Sequence, residues 1–103
     1  MRIALDAMGG DNGSLCLVEG ARMALTQDRD LEVALVGDRQ ALGACIAQAG
    51  GMPENRHEII HASQVADMHV PAKASLKLKD SSILVGARLV KDKRAAGLVS
   101  AGN

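Results

Sequence analysis

Leu31-Glu32-Val33-Ala34-Leu35-Val36-Gly37-Asp38 is a near-continuous apolar run that stops at a glycine and an aspartate. Strands covered on both faces read this way, whereas a strand with one wet face alternates. Three other segments repeat the pattern. Ile3-Ala4-Leu5 ends at Asp6, Gly97-Leu98-Val99-Ser100-Ala101 runs into Gly102-Asn103, and a weaker run covers Glu58-Ile59-Ile60-His61-Ala62. Four such runs predict a parallel sheet buried between helices.

The intervening segments carry helical spacing. From Ser14 to Gln27, Val18, Ala21 and Leu25 recur on one face, with Leu17 and Ala24 beside them, and Asn12 or Ser14 is the expected cap. From Arg39 to Ala49 the apolar side is Leu42, Cys45, Ile46 and Ala49, and Gly50-Gly51 followed by Pro53 stops the helix. From Ser81 to Lys93 the expected face is Ile83, Gly86, Ala87 and Val90, with Asp80 or Ser81 as cap and Lys91, Lys93 and Arg94 suited to the carboxyl end of the dipole. Strand and helix alternate, so the fold class is α/β: a wound, mostly parallel, three-layer sheet with right-handed crossovers. Residues 63–80, with Pro71 and three lysines, form an unusually long connection, and long connections are often functional or mobile.

Bulk properties narrow the function. A chain of 103 residues is at most one domain, and 48% hydrophobic residues exclude a disordered tail. Phe, Tyr and Trp are absent, which removes the stacking platforms that single-stranded nucleic acid needs. Twelve basic residues balance twelve acidic ones, so no net field draws the chain to polyanions. Cys16 and Cys45 sit in apolar helical stretches, are expected to be buried thiols rather than a disulfide, and lack metal-ligand spacing. No signal peptide precedes the first strand, and the apolar runs fall short of the ~18 residues of a membrane span. These features predict a soluble, cytoplasmic protein.

Ligands of open α/β sheets bind beyond the carboxyl ends of the strands. Two of these ends are rich in small and polar residues: Asp6-Ala7-Met8-Gly9-Gly10-Asp11-Asn12-Gly13 and Ser100-Ala101-Gly102-Asn103. Glycines there allow positive φ and close backbone approach, and a following helix start favours an anion. The same Gly-Gly also reads as a plain tight turn. Gly9, Gly10 and Gly13 are too close together for the dinucleotide fingerprint, and no lysine follows Gly13 as in a phosphate-binding Walker loop. Asp6 and Asp11 have the chemistry to hold Mg²⁺ or to cap the next helix. His57, His61 and His69 are scattered, with no metal pattern, and Lys73, Lys77 and Lys79 read either as a solvated basic loop or as partners of an anion.

At the two strand-end loops the sequence resembles a known family. Leu5-Asp6-Ala7-Met8-Gly9-Gly10-Asp11, Leu35-Val36-Gly37-Asp38, Lys79-Asp80-Ser81-Ser82 and Leu98-Val99-Ser100-Ala101-Gly102-Asn103 match, in order, the bacterial phosphate acyltransferases of the PlsX family. The resemblance implies transfer of a fatty acyl group from acyl carrier protein to inorganic phosphate, giving an acyl phosphate for phospholipid synthesis. It implies the fold of isocitrate and isopropylmalate dehydrogenases and of phosphotransacetylase, without a nicotinamide cofactor; backbone amides at helix starts can serve such chemistry without a metal. At full length it implies a homodimer with peripheral membrane association; the missing aromatics and the balanced charge argue separately against a nucleic-acid partner. Two departures stand out. Ser14 replaces a proline common in the family, and family chains run on well past Asn103, so a truncated domain that is inactive alone and exposes an apolar edge and face is expected.

The expected substrate-binding residues are Asp6, Gly9, Gly10, Asp11, Ser100, Gly102 and Asn103, with no catalytic residue assigned. Backbone amides around Gly9 and Gly10 would line one side of the cleft, and Ser100, Gly102 and Asn103 would open a phosphate-binding turn. Asp6 and Asp11 would orient the loop. The alternative is a Rossmann-like nucleotide- or anion-binding module without catalysis, which would bind a nucleotide tightly as this short chain. A dehydrogenase is disfavoured because the dinucleotide fingerprint is missing, and a sugar-kinase-like loop would need a different spacing between Asp6 and Gly9.

Overall fold

The computed structural model describes residues 1–8, 13–62 and 81–101. Within these, β1 (Arg2–Asp6), α1 (Gly13–Gln27), β2 (Glu32–Gly37), α2 (Arg39–Gln48), β3 (His57–His61), α3 (Ser82–Lys91) and β4 (Gly97–Ser100) follow one another. The four strands form one parallel sheet in the order β3-β2-β1-β4. The run quoted first is its most deeply buried strand, since Val33 to Gly37 are all buried. Its side chains alternate between two cores. Val33 and Leu35 meet Val18, Ala21 and Leu25 of α1 and Leu42 of α2, while Ala34 and Val36 meet Ala4 and Leu89 on the other face.

This layering follows from the strand order. From β1 to β2 to β3 the chain steps one way, and then it returns across the sheet to place β4 beside β1. Right-handed crossovers in opposite directions put their helices on opposite faces. Accordingly α1 and α2 share one core and α3 lies on the other. All three helices therefore begin at the end of the sheet where the strands finish.

Local chemistry sets the helix starts. The Asp38 carboxylate accepts from the Ala41 N–H at 3.0 Å, and the Ser81 hydroxyl accepts from the Leu84 N–H at 3.2 Å. Ser81 was one of the two caps expected for α3. Ser81→Ala should lower stability by about 1 kcal/mol in urea denaturation, as loss of an N-cap does. An unchanged midpoint would show that water replaces the cap.

Three sequence expectations need correction. Ser14 does not cap α1, because the helix has already begun at Gly13 and the Ser14 hydroxyl is turned to the Met8 sulfur at 3.5 Å. The buried stripe of α3 is Ser82, Gly86 and Leu89 rather than Ile83, Gly86, Ala87 and Val90. Leu89, one position before Val90, reaches the Ala4–Ala34–Val36 core, and the helix rotates to seat it there while Ala87 faces solvent. Both cysteines are free, but Cys16 is exposed and Cys45 only half-buried. Val18 owns the core side of α1, and Cys16, two residues earlier, lies about 200° around the helix from it.

The expected apolar edge and face are present. Beside α1, Ile3, Leu5, Leu17, Ala24 and Val99 line an apolar groove of about 330 Å³. Val99 on the edge strand is 55% exposed. Among the described residues no helix is long and apolar enough to cross a membrane.

Candidate functional site

The strand order reverses between β1 and β4, and such a reversal is where open α/β sheets bind ligands. Asp6 and Ser100 are register partners at the carboxyl ends of these two strands. The Ser100 hydroxyl donates to Asp6 Oδ2 at 2.8 Å, and the Met8 backbone N–H donates to Asp6 Oδ1 at 3.1 Å. Asp6 is 1% exposed, and hydrogen bonds of this kind are what a buried carboxylate needs. One side chain thus fastens the start of the glycine-rich loop to the end of β4. With both oxygens engaged, Asp6 is built as a tie between two turns.

Met8 anchors the same loop from the other side. Its side chain lies across Gly37 at the end of β2. A Cβ on Gly37 would stand 2.5 Å from Met8 Cγ, 2.8 Å from Met8 Sδ and 3.1 Å from Leu42 Cδ1. Only a bare backbone leaves that space, so Gly37 is tied to the placement of the loop. Past the loop, Gly13 opens α1 with φ of 82°, a left-handed conformation that costs glycine little.

Asp6 and Ser100 are the expected site residues that the structure brings together. Gly9, Gly10, Asp11, Gly102 and Asn103 lie outside the described residues, as do Asn12, His69, Lys73, Lys77, Lys79 and the whole connection 63–80. The two described histidines serve the scaffold. The Arg39 N–H donates to His61 Nδ1 at 3.2 Å, and His57 Nδ1 lies 2.6 Å from the Pro53 carbonyl. Arg88, Lys91, Lys93 and Arg94 are exposed at the carboxyl end of α3 and just beyond it. Among the described residues no three His, Cys, Asp or Glu side chains converge on a point that would suit a metal ion.

Sequence reasoning missed two participants. Met8 was read only as part of a turn. Ser82 follows the Ser81 cap and was not weighed, yet it is 1% exposed and its hydroxyl has no hydrogen-bond partner among the described residues. Its recurrence four residues before Gly86 was the available signal.

Known proteins resemble this chain along its whole length. The sequence profile of the family described as fatty acid synthesis protein matches residues 1–103. A phosphate acyltransferase of Heliobacterium modesticaldum is 45% identical over 104 residues, covering 100% of this chain and 31% of the relative. Phosphate acyltransferases of Dictyoglomus turgidum and Halothermothrix orenii are 42% and 40% identical over the whole of this chain, which spans 30% and 31% of their lengths. The chain thus spans under a third of the length of these relatives, and over its full extent it belongs to the fatty acid synthesis protein family.

Proposed function

We propose that these residues form the first part of an enzyme that moves a fatty acyl group from acyl carrier protein to inorganic phosphate. The observation that carries this reading is the Asp6 tie at the strand-order reversal. Asp6 holds the Met8 backbone and the Ser100 hydroxyl together at the carboxyl ends of β1 and β4, where an open α/β sheet receives its ligand. The names of the relatives supply the chemical class, phosphate acyl transfer.

The reaction needs an anion held beside a thioester. A phosphate oxygen attacks the acyl carbonyl, the carbon–sulfur bond breaks, the acyl–oxygen–phosphorus linkage forms, and the phosphate proton leaves on the carrier thiol. Phosphate is already nucleophilic, so the protein's main tasks are to place it and to stabilise the oxyanion that develops on the carbonyl. Backbone N–H groups at strand-end turns and helix starts serve both tasks. In this reading the amides around Gly9 and Gly10 line one wall, and Ser100, Gly102 and Asn103 begin the turn that meets phosphate. Asp6 and Asp11 orient the loop.

The test uses a polypeptide that carries these 103 residues at the length of the relatives. With long-chain acyl carrier protein, release of the carrier thiol should require inorganic phosphate and rise with its concentration to saturation. Thiol release that ignores phosphate would make the protein a thioesterase, and absence of release would leave it inert; either result would overturn the proposal.

A further inference from the structure

Among the described residues, the first turn of α3 presents a buried hydroxyl without a partner beside N–H groups that have no acceptor within the helix. Helix starts expose N–H groups with no carbonyl of their own helix to bond, and here the Ser81 cap takes only that of Leu84. The next hydroxyl, Ser82 Oγ, is buried and has no partner among the described residues. An unmet buried hydroxyl is disfavoured in a settled core, and one retained at a helix start points to a ligand.

Its direction follows from the packing. Ser82, Gly86 and Leu89 are the buried residues of α3, and Leu89 packs on Ala4, Ala34 and Val36 of β1 and β2. Ser82 therefore lies on the stripe facing the sheet, at the turn nearest the carboxyl ends of the strands. Side chains on a helix lean toward its amino end, which carries this hydroxyl up toward the crevice that Asp6 and Ser100 border.

We propose that the amino end of α3 is an anion subsite of that crevice, in which Ser82 Oγ and the backbone N–H groups of Ser82 and Ile83 donate to oxygens of inorganic phosphate. The choice of phosphate rests on the acyl-transfer reading; the subsite itself rests on the helix start and the orphan hydroxyl. No cationic side chain is required, because the helix dipole and the aligned N–H groups already favour an anion.

The experiment titrates inorganic phosphate by calorimetry into the polypeptide at the length of the relatives, comparing it with Ser82→Ala and Ser82→Cys. Loss of one donor to a charged oxygen should weaken phosphate binding about tenfold in Ser82→Ala. Ser82→Cys, with a weak donor in a similar volume, should fall between. The phosphate-free unfolding midpoint of Ser82→Ala should stay the same or rise, because the orphan group has gone. A hydroxyl that merely supports the fold would lower that midpoint and leave the affinity alone, which would overturn the proposal. A parent protein that fails to bind phosphate would overturn it too. A parent that binds phosphate through Ser82 yet forms no acyl phosphate would sink the acyl-transfer reading and leave the subsite standing.

Discussion

Asp6→Ala should abolish phosphate-dependent acyl transfer and lower stability by about 2–4 kcal/mol. The side chain is buried, and its removal takes an acceptor from the Met8 N–H and from the Ser100 hydroxyl. Each donor left buried without an acceptor costs about 1–3 kcal/mol, partly recovered where water can enter. Ser100 is exposed and can turn to solvent, so the Met8 N–H carries more of the penalty. The effect on activity should exceed the effect on stability, because the loop and the β4 turn lose their common anchor. Asp6→Asn separates the roles. Its oxygen can still accept from Met8 and its amide can donate to the Ser100 oxygen, so stability should stay within about 1 kcal/mol of the parent. Activity that returns with Asn identifies a tie, and activity lost with Asn but stability kept would give the Asp6 charge a direct part in the chemistry.

The second large effect is expected at Gly37. Even one added carbon meets Met8 and Leu42 inside contact distance, and valine adds three. Gly37→Val should destabilise by about 1–3 kcal/mol, the usual range for overpacking a close-packed site. Met8 is the movable neighbour, so it should be expelled and carry the start of the glycine-rich loop with it. Activity should then fall well beyond what the urea midpoint implies. Met8→Ala in the Gly37→Val background should recover part of the stability by vacating the space, without recovering activity. If the single variant keeps parental activity, Met8 does not position the loop.

The fold was legible because burial wrote it into the residue order. A strand covered on both faces has no polar side to show, so Val33 to Val36 reads as one apolar block and its end is marked by Gly37 and Asp38. The stripe Val18, Ala21, Leu25 was legible for the same reason, since a single helix face meets the core. The α3 stripe was not. Ile83 and Val90 are as apolar as Leu89, and only the fit of Leu89 among the alanines of the opposite core decides which face turns inward.

The site was legible in part. Asp6 and Ser100 stood out as small polar residues at strand ends, but their bond joins positions 94 residues apart and depends on a register that no local pattern encodes. Met8 and Gly37 were invisible as a pair because their relation is one of space left empty. Ser82 was hidden behind its neighbour, since a Ser-Ser pair before a helix reads as a cap, and Ser81 indeed fills that role.

The most direct test is to trap the product. The polypeptide at the length of its relatives, incubated with long-chain acyl carrier protein, phosphate and hydroxylamine, should yield an acyl hydroxamate that depends on both protein and phosphate. The yield should vanish with Asp6→Ala and return with Asp6→Asn. Hydroxamate formation that is absent from the parent, or that persists undiminished in Asp6→Ala, would contradict the account of this crevice as the seat of acyl transfer.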